Sequence, residues 1–210
     1  MEQLKAMGLR NVPVVAIGER YTFAQNLKDV AKFVGVALDR EQLAPSVLAQ
    51  RYDSILQTAQ GLVRQVPVAQ MGERVIPNRP RLIRPFLYHI FRIGDAFLIA
   101  YGGETYSNTL ANVEPPAEIE TPEQIAAYGQ SVRERLNAWW AANPDRALEK
   151  RLDTYYGEQS AHDVFERTTW HSAQHCRQLA VMLERLSIAP RAPLTPAQIQ
   201  GLPLPEGIWE

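Results

Sequence analysis

The chain has 210 residues, of which 46% are hydrophobic and 21% are charged, which fits one globular domain or one domain with a small appendage. The 22 Lys and Arg residues nearly balance the 23 Asp and Glu residues, so the composition favours neither a nucleic-acid partner nor an anionic membrane surface. No apolar run approaches the ~20 residues of a membrane span, and the single cysteine, Cys176, cannot form an internal disulfide. We therefore expect a reducing, cytoplasmic compartment.

The first 37 residues have the pattern of a β-hairpin followed by a helix. The β-branched run at residues 11–17 predicts a strand, residues 18–20 a tight turn, and residues 21–23 a short return strand. Asn26 is a typical N-cap for a helix whose apolar residues follow at helical spacing. We expect residues 1–37 to form an appendage to a main domain at residues 38–210.

Residues 11–35 read NVPVVAIGERYTFAQNLKDVAKFVG. This stretch resembles the C-terminal half of a glutaredoxin, and the resemblance implies a cis proline at Pro13 beside a loop that in that family contacts a thiol ligand. The other half of that fold, which carries the redox cysteine, is absent from the sequence, so we expect no glutaredoxin chemistry. The unit is then a remnant docked on the main domain or an edge for self-association, because exposed strand edges need a partner.

Four further segments carry apolar residues at the spacing of an α-helix. They cover residues 45–64, 81–101, 122–142 and 160–186. Thr121 and Gln124 form a typical capping box before the third segment, and Ser160 is a typical N-cap for the fourth. These helices predict a mainly α fold, a four-helix bundle, in which long loops allow an unusual connection order.

The segments between and after these helices are predicted to be irregular. Residues 65–79 and 108–120 contain prolines and are expected to be loops, and residues 147–156 to be a connector. The tail from Ala189 onward is rich in proline but also in leucine and isoleucine. It is too apolar for a free disordered tail, so we expect it to pack along the bundle.

Two of the four histidines, His171 and His175, lie four residues apart on the last predicted helix. That spacing places both imidazoles on one face of the helix, and this face continues apolar in both directions. One helix commonly offers two ligands to one metal ion in this way. The other interpretation, a pair of hydrogen-bonded core histidines, is about equally consistent with the pattern.

A third metal ligand has to come from another helix. His162 lies nine residues before His171 and about half a turn out of phase, so it is expected to face away. His89 lies on the apolar face of the second helix. Because neighbouring helices pack about 8–10 Å apart, it can meet the other two imidazoles at one ion. Imidazole ligands suit zinc, nickel, copper or iron.

Tyr88-His89-Ile90 and the run WHSAQHCRQL at residues 170–179 resemble the DinB-like (YfiT-like) family of metal-binding four-helix bundles, and the resemblance covers residues 40–188. It implies that His89, His171 and His175 bind a divalent metal, zinc or nickel before others. In that family an arginine-glycine-glutamine often follows the last ligand.

Only the glutamine of that run is kept here, as Gln178. Gln178 lies seven residues past His171 and therefore on the same face of the helix. We expect its side chain to contact a metal-binding histidine without itself binding the metal. The two residues before Gln178 differ from the arginine-glycine pair of the family. This difference affects the contacts around the metal ligands more than the ligands themselves.

Two functions of different classes follow from this pattern. Members of the wider family include thiol-dependent transferases and isomerases, so the resemblance implies a metal-dependent thiol S-transferase, or a related hydrolase or isomerase, with a low-molecular-weight thiol as partner. Three protein nitrogens leave at least one coordination position open for a substrate. No general base is identified, since Glu166 and Asp95, the nearest carboxylates in sequence, are expected to be solvated or capping groups.

The alternative is a non-catalytic module, in which the ion or the histidine cluster braces the bundle and the protein acts by association. The N-terminal hairpin and Trp139-Trp140 are candidates for the surface of a homodimer, which we expect as the oligomeric state. A haem or di-iron centre is a weaker hypothesis, because the Glu-x-x-His motifs of di-iron bundles are absent.

Overall fold

The computed structural model describes residues 14–38, 40–74 and 80–209. The chain divides into two compact units, Met1–Gln42 and Leu43–Glu210. As predicted, the described residues are mainly helical, with a small antiparallel hairpin near the N-terminus. Within these ranges no helix has the length and apolar character needed to cross a bilayer.

The first unit is the predicted hairpin and helix. β1 (Val14–Ile17) pairs antiparallel with β2 (Arg20–Phe23). The helix α1 (Leu27–Val34) begins after Asn26, whose side chain accepts a hydrogen bond from the backbone N–H two residues further on, at 2.9 Å. The prediction of a cis peptide bond at Pro13 lies outside the described residues.

Among its described residues, the second unit contains four long helices, two short ones and a second hairpin. In chain order these elements are α2 (Pro45–Val63), α3 (Ile83–Tyr101), α4 (Asn108–Ala111), α5 (Pro122–Ala142), β3 (Arg151–Thr154), β4 (Gly157–Ser160), α6 (Ala161–Arg185) and α7 (Pro196–Ile199). One turn of 3-10 helix at Val68–Gln70 follows α2.

The starts of α5 and α6 are fixed by the predicted caps. Thr121 Oγ1 accepts a hydrogen bond from the Gln124 backbone at 3.2 Å, and Gln124 Oε1 accepts one from the Thr121 backbone at 2.9 Å. At the start of α6, Ser160 Oγ accepts from the backbone N–H of Asp163 at 3.1 Å. These bonds satisfy donors that the first turn of a helix would otherwise leave unpaired.

The four long helices do not follow one another around the bundle. α2 packs against α5 and α6, and α3 packs against the same two helices, so α2 and α3 lie at opposite corners. The histidine-bearing helices α3 and α6 are therefore direct neighbours. This close approach extends to α5, where a Cβ built on Gly129 would lie 2.6 Å from the ring of Phe91.

Two segments are more regular than predicted. The connector predicted at residues 147–156 instead leads into the hairpin of β3 and β4, and part of the loop predicted at residues 108–120 forms α4. In β3 only Leu152 and Thr154 are buried, and alternation over four residues is too short to be recognised as a strand. The turn of α4 is held by Ser107, whose Oγ accepts from the Leu110 backbone at 2.9 Å.

The C-terminal tail packs on the bundle, as predicted. Gln198 of α7 donates hydrogen bonds to Ser54 Oγ at 2.6 Å and to Thr58 Oγ1 at 3.0 Å, both on α2. Further along the tail, Leu202 is buried against the core. The tail thus continues the second unit and does not form a separate element.

Candidate metal centre

Three histidines from two neighbouring helices meet inside the second unit. His89 of α3 faces His171 and His175, which lie one turn apart on α6, and one potential ligand nitrogen from each ring lies within 4.8 Å of the other two. The ring centroids of His171 and His175 are 4.6 Å apart, and that of His89 is 5.5 Å and 5.1 Å from them. His162 lies elsewhere, with its Nε2 2.8 Å from the backbone oxygen of Leu43.

The buried nitrogens of this cluster fit a metal ion. Nδ1 of His89 and Nδ1 of His171 are shielded from solvent and have no hydrogen-bond partner within the described ranges. Leaving a buried polar atom unsatisfied costs about 1–3 kcal/mol, so two such atoms in one cluster are uncommon where the cluster serves packing alone. A cation that accepts their lone pairs removes this cost, and the cluster can hold one.

The side chain of His89 lies beside α4. Burial is the largest cause of its lowered pKa, and the backbone of Ala111, the last residue of α4, acts to raise that pKa. Nδ1 of His89 is buried and has no hydrogen-bond partner within the described ranges, so its lone pair is available to a cation.

Gln178 determines which nitrogen of His175 carries the proton. Nδ1 of His175 lies 2.7 Å from Oε1 of Gln178, which can only accept, so the imidazole donates and Nδ1 carries the proton. Nε2 of His175 is buried and is the nitrogen left for a metal. Gln178 in turn donates from Nε2 to the backbone carbonyl of Ile208 at 2.8 Å. Outer contacts of this kind orient metal-binding histidines.

Burial keeps the cluster in the form that binds metals. Desolvation lowers the pKa of His89 and His171 well below the ordinary value of 6.5, and the charge of His175 lowers both further. The guanidinium groups of Arg81 and Arg167 act in the same direction on both imidazoles. Because a metal binds the neutral imidazole, this environment favours metal binding at neutral pH.

A buried hydroxyl that the sequence pattern did not single out joins the two histidine-bearing helices, α3 and α6. Ser172 Oγ donates to the carbonyl of Ile90 at 2.9 Å, and the hydroxyl of Tyr52 on α2 lies 3.2 Å from the same Oγ. Ser172 is the next residue after His171, and Ile90 is the next residue after His89. This bond therefore ties α6 to α3 directly beside the two histidines. The sequence pattern that could have identified Ser172 is a small polar residue next to a histidine on a helix that is largely buried.

The expectation that Asp95 is a solvated or capping group is wrong. Its carboxylate is only 8% exposed and accepts hydrogen bonds from Arg92 at 2.6 Å, from the hydroxyl of Tyr128 at 3.1 Å and from Arg135. Glu166 is also buried, at 6% exposure. Across the described ranges, the three histidines form their group without a carboxylate.

A model of the DinB superfamily matches residues 51–179, which is more than half of the chain. The matched range includes all three histidines and Gln178 but ends before the C-terminal tail. No curated protein matches the chain.

Proposed function

Because the chain belongs to the DinB superfamily, we propose that it binds a divalent metal through His89, His171 and His175 and acts as a metal-dependent thiol S-transferase, or as a related hydrolase or isomerase. The observation that carries this proposal is the convergence of three imidazoles in which two buried nitrogens have no hydrogen-bond partner within the described ranges. Zinc and nickel are the proposed metals, since both suit an all-imidazole set of ligands.

The histidines would supply three nitrogens and leave at least one coordination position for a substrate, as catalytic metal sites do. The chemistry that a bound ion would supply is Lewis acidity, which would lower the pKa of a thiol or a water molecule enough for the anion to be available at neutral pH. Arg81 and Arg167, which lower the pKa of the neighbouring histidines, provide a positive potential that favours the same anion.

A thiol is the proposed nucleophile because members of the wider DinB-like family include thiol-dependent transferases and isomerases. In the proposed transfer the thiol loses its proton to solvent water, and its sulfur forms a bond to an electrophilic carbon of a second substrate. The leaving group departs from that carbon with the bonding electron pair. Hydrolysis follows the same course with water in place of the thiol.

The test begins with elemental analysis of the full chain purified without a histidine tag. We expect about one zinc or nickel ion per chain in the wild type and in H162A, whose ring lies outside the cluster, and loss of the ion in H89A and H171A. The loaded protein is then incubated with cysteine, glutathione and other small thiols together with an alkylating acceptor, and S-alkylated products are measured by mass spectrometry.

Full metal occupancy in H171A would exclude the proposed ligands. If the protein binds metal but enhances neither the S-alkylation of any thiol nor the hydrolysis of any ester acceptor, the enzymatic part of the proposal is excluded. The proposed metal centre is then unaffected.

The second candidate is a non-catalytic, metal-braced bundle that acts as an interaction module. Two observations favour it: the ligands come from two different helices, so an ion would crosslink α3 and α6, and no described carboxylate joins the histidines as a general base. Removal of a bracing ion with a chelator is expected to lower Tm strongly. A small shift in Tm together with thiol-transfer activity would favour the enzyme.

A further inference from the structure

The last residues of the described chain are held on the ligand helix α6 by their backbone carbonyls. We call residues 205–209 the terminal strap. Three side chains of α6, Gln174, Arg177 and Gln178, donate hydrogen bonds to four successive carbonyls of the strap. The donor–acceptor distances are 2.8 Å to Pro205, 3.2 Å to Glu206, 3.0 Å to Gly207, and 2.8 Å from each glutamine to Ile208.

One of these side chains also touches a proposed metal ligand. Gln178 Nε2 donates to Ile208, and its Oε1 faces Nδ1 of His175 at 2.7 Å. An amide group has its donor and its acceptor at fixed positions on one plane, so the bond to Ile208 determines which atom faces the imidazole. The strap therefore fixes the acceptor that keeps the proton on Nδ1 and leaves Nε2 of His175 for a metal.

We propose that the terminal strap is part of the metal centre and that it strengthens metal binding by positioning His175 through Gln178. This inference rests on the metal centre proposed above. The strap lies outside residues 51–179, the range that the family model matches.

Contacts remote from the histidines anchor the strap. Arg177 bonds the first two strap carbonyls and is itself held by Gln174 Oε1 at 2.8 Å. At the other end, the guanidinium of Arg185 lies 4.9 Å from the centre of the Trp209 ring, within the range of a cation–π contact. Arg177 and Trp209 can thus be changed without altering Gln178 or any proposed ligand.

Thermodynamic coupling gives the expected size of the effect. If the strap raises metal affinity, releasing it has to lower that affinity by the same factor by which the metal stabilises the docked strap. Loss of an outer contact to a metal-binding histidine typically costs about 10–100-fold in affinity. Changes that loosen the strap and leave Gln178 in place should cost less, about 5-fold or more.

The experiment uses the full, untagged chain and measures the Kd for Zn²⁺ by competition with a chromophoric chelator. The variants are Q178A, Q178E, and the double variant R177A/W209A. Q178E keeps an acceptor for His175 but cannot donate to Ile208. Q198A is the matched control, because Gln198 anchors the tail through hydrogen bonds to Ser54 and Thr58 on α2, whereas the strap is bonded to α6.

We expect Q178A to weaken Zn²⁺ binding by about 10-fold or more, R177A/W209A by about 5-fold or more, and Q198A by less than about 2-fold. The visible absorption spectrum of the Co²⁺-loaded protein should change in R177A/W209A and stay unchanged in Q198A, since it reports the ligand geometry and not overall stability. If R177A/W209A fails to fold by circular dichroism, R177K and W209A separately give the same comparison.

Wild-type affinity and an unchanged Co²⁺ spectrum in the folded strap variants would overturn the inference while leaving the proposed metal centre intact. Equal weakening in Q198A and R177A/W209A would also overturn it, since the effect would then be general loosening of the tail. Absence of Zn²⁺ binding in the wild type would instead refute the proposed function on which the inference depends.

Discussion

The carboxylate of Asp53 ties α2 to α5. It accepts hydrogen bonds from Nε and Nη2 of Arg133, at 2.6 Å and 2.9 Å, and from Asn137 at 2.6 Å. The bonds from Arg133 are the main reason that the pKa of Asp53 lies below the ordinary value of 3.8. A bidentate, partly shielded pair of this kind contributes more than an exposed one.

The lowered pKa gives a defined dependence of stability on pH. An Asp with a lower pKa in the folded state contributes stability above its unfolded pKa of about 3.9, and loses it as the pH falls through the folded value. We expect D53N to reduce the free energy of unfolding by about 1 kcal/mol at pH 7, and the difference from wild type to shrink toward zero below the folded pKa. Urea unfolding at neutral and acidic pH measures this.

A solvent-exposed pair provides the control for D53N. Arg64 and Glu123 form an ion pair whose side chains are 43% and 70% exposed, so E123Q should change the free energy of unfolding by less than about 0.5 kcal/mol at any pH. Equal effects of D53N and E123Q, or an effect of D53N that does not depend on pH, would show that the pair of Asp53 and Arg133 does not contribute to stability as described.

The histidine cluster shows which residue-scale features a sequence can reveal. Four histidines, one pair at helical spacing and one on another apolar face left a single combination, and the structure brings those three together. The burial of Asp95 could not be predicted, because α3 is buried on nearly all sides and its polar residues interrupt the apolar pattern. The bond from Gln178 to Ile208 joins residues 30 positions apart through a backbone carbonyl, which leaves no trace in residue type.

At the level of elements, the contact between α3 and α5 depends on the absence of a side chain at Gly129. A Cβ there would lie 2.6 Å from the ring of Phe91, whereas a Cβ on Gly61 of α2 would meet nothing within 4 Å. The two glycines therefore have opposite roles although both lie inside long helices.

This pair predicts opposite effects of one substitution. G129A should lower the free energy of unfolding by about 1–3 kcal/mol, since the phenyl ring has to move in a packed core. G61A should raise it by up to about 1 kcal/mol, because alanine favours the helix more than glycine. Thermal unfolding of both variants is the measurement, and stabilisation by G129A would refute the described packing.

Helical periodicity and caps were sufficient to predict the long helices and most of their ends. The capping box at Thr121 and the cap at Ser160 are local signals, and both are confirmed. The hairpin of β3 and β4 was missed because its four-residue strands carry mainly polar side chains, and their pairing is supported by contacts with α3 and α6 more than by local preference.

On the scale of the whole molecule, each proposed ligand and each contact described around the ligands lies within Leu43–Glu210. We therefore expect a chain consisting of residues 43–210 to bind Zn²⁺ with a Kd within about 2-fold of the full chain, because it keeps every contact described above around the three histidines. Isothermal titration of both chains tests this. A loss of affinity would assign the first unit a part in the metal centre.

The corner positions of the helices also constrain how the polypeptide reaches this structure. Since α2 and α3 lie diagonally, and the large contacts of each are with α5 and α6, these two helices do not form a local hairpin with each other. The main packing partners of α2 are α5 and α6, which lie far from it in sequence. Contacts between residues distant in sequence slow folding, in helical proteins as in others. On the ribosome, α3 is made before α6, so the face of α3 that α6 covers stays exposed until α6 has been made.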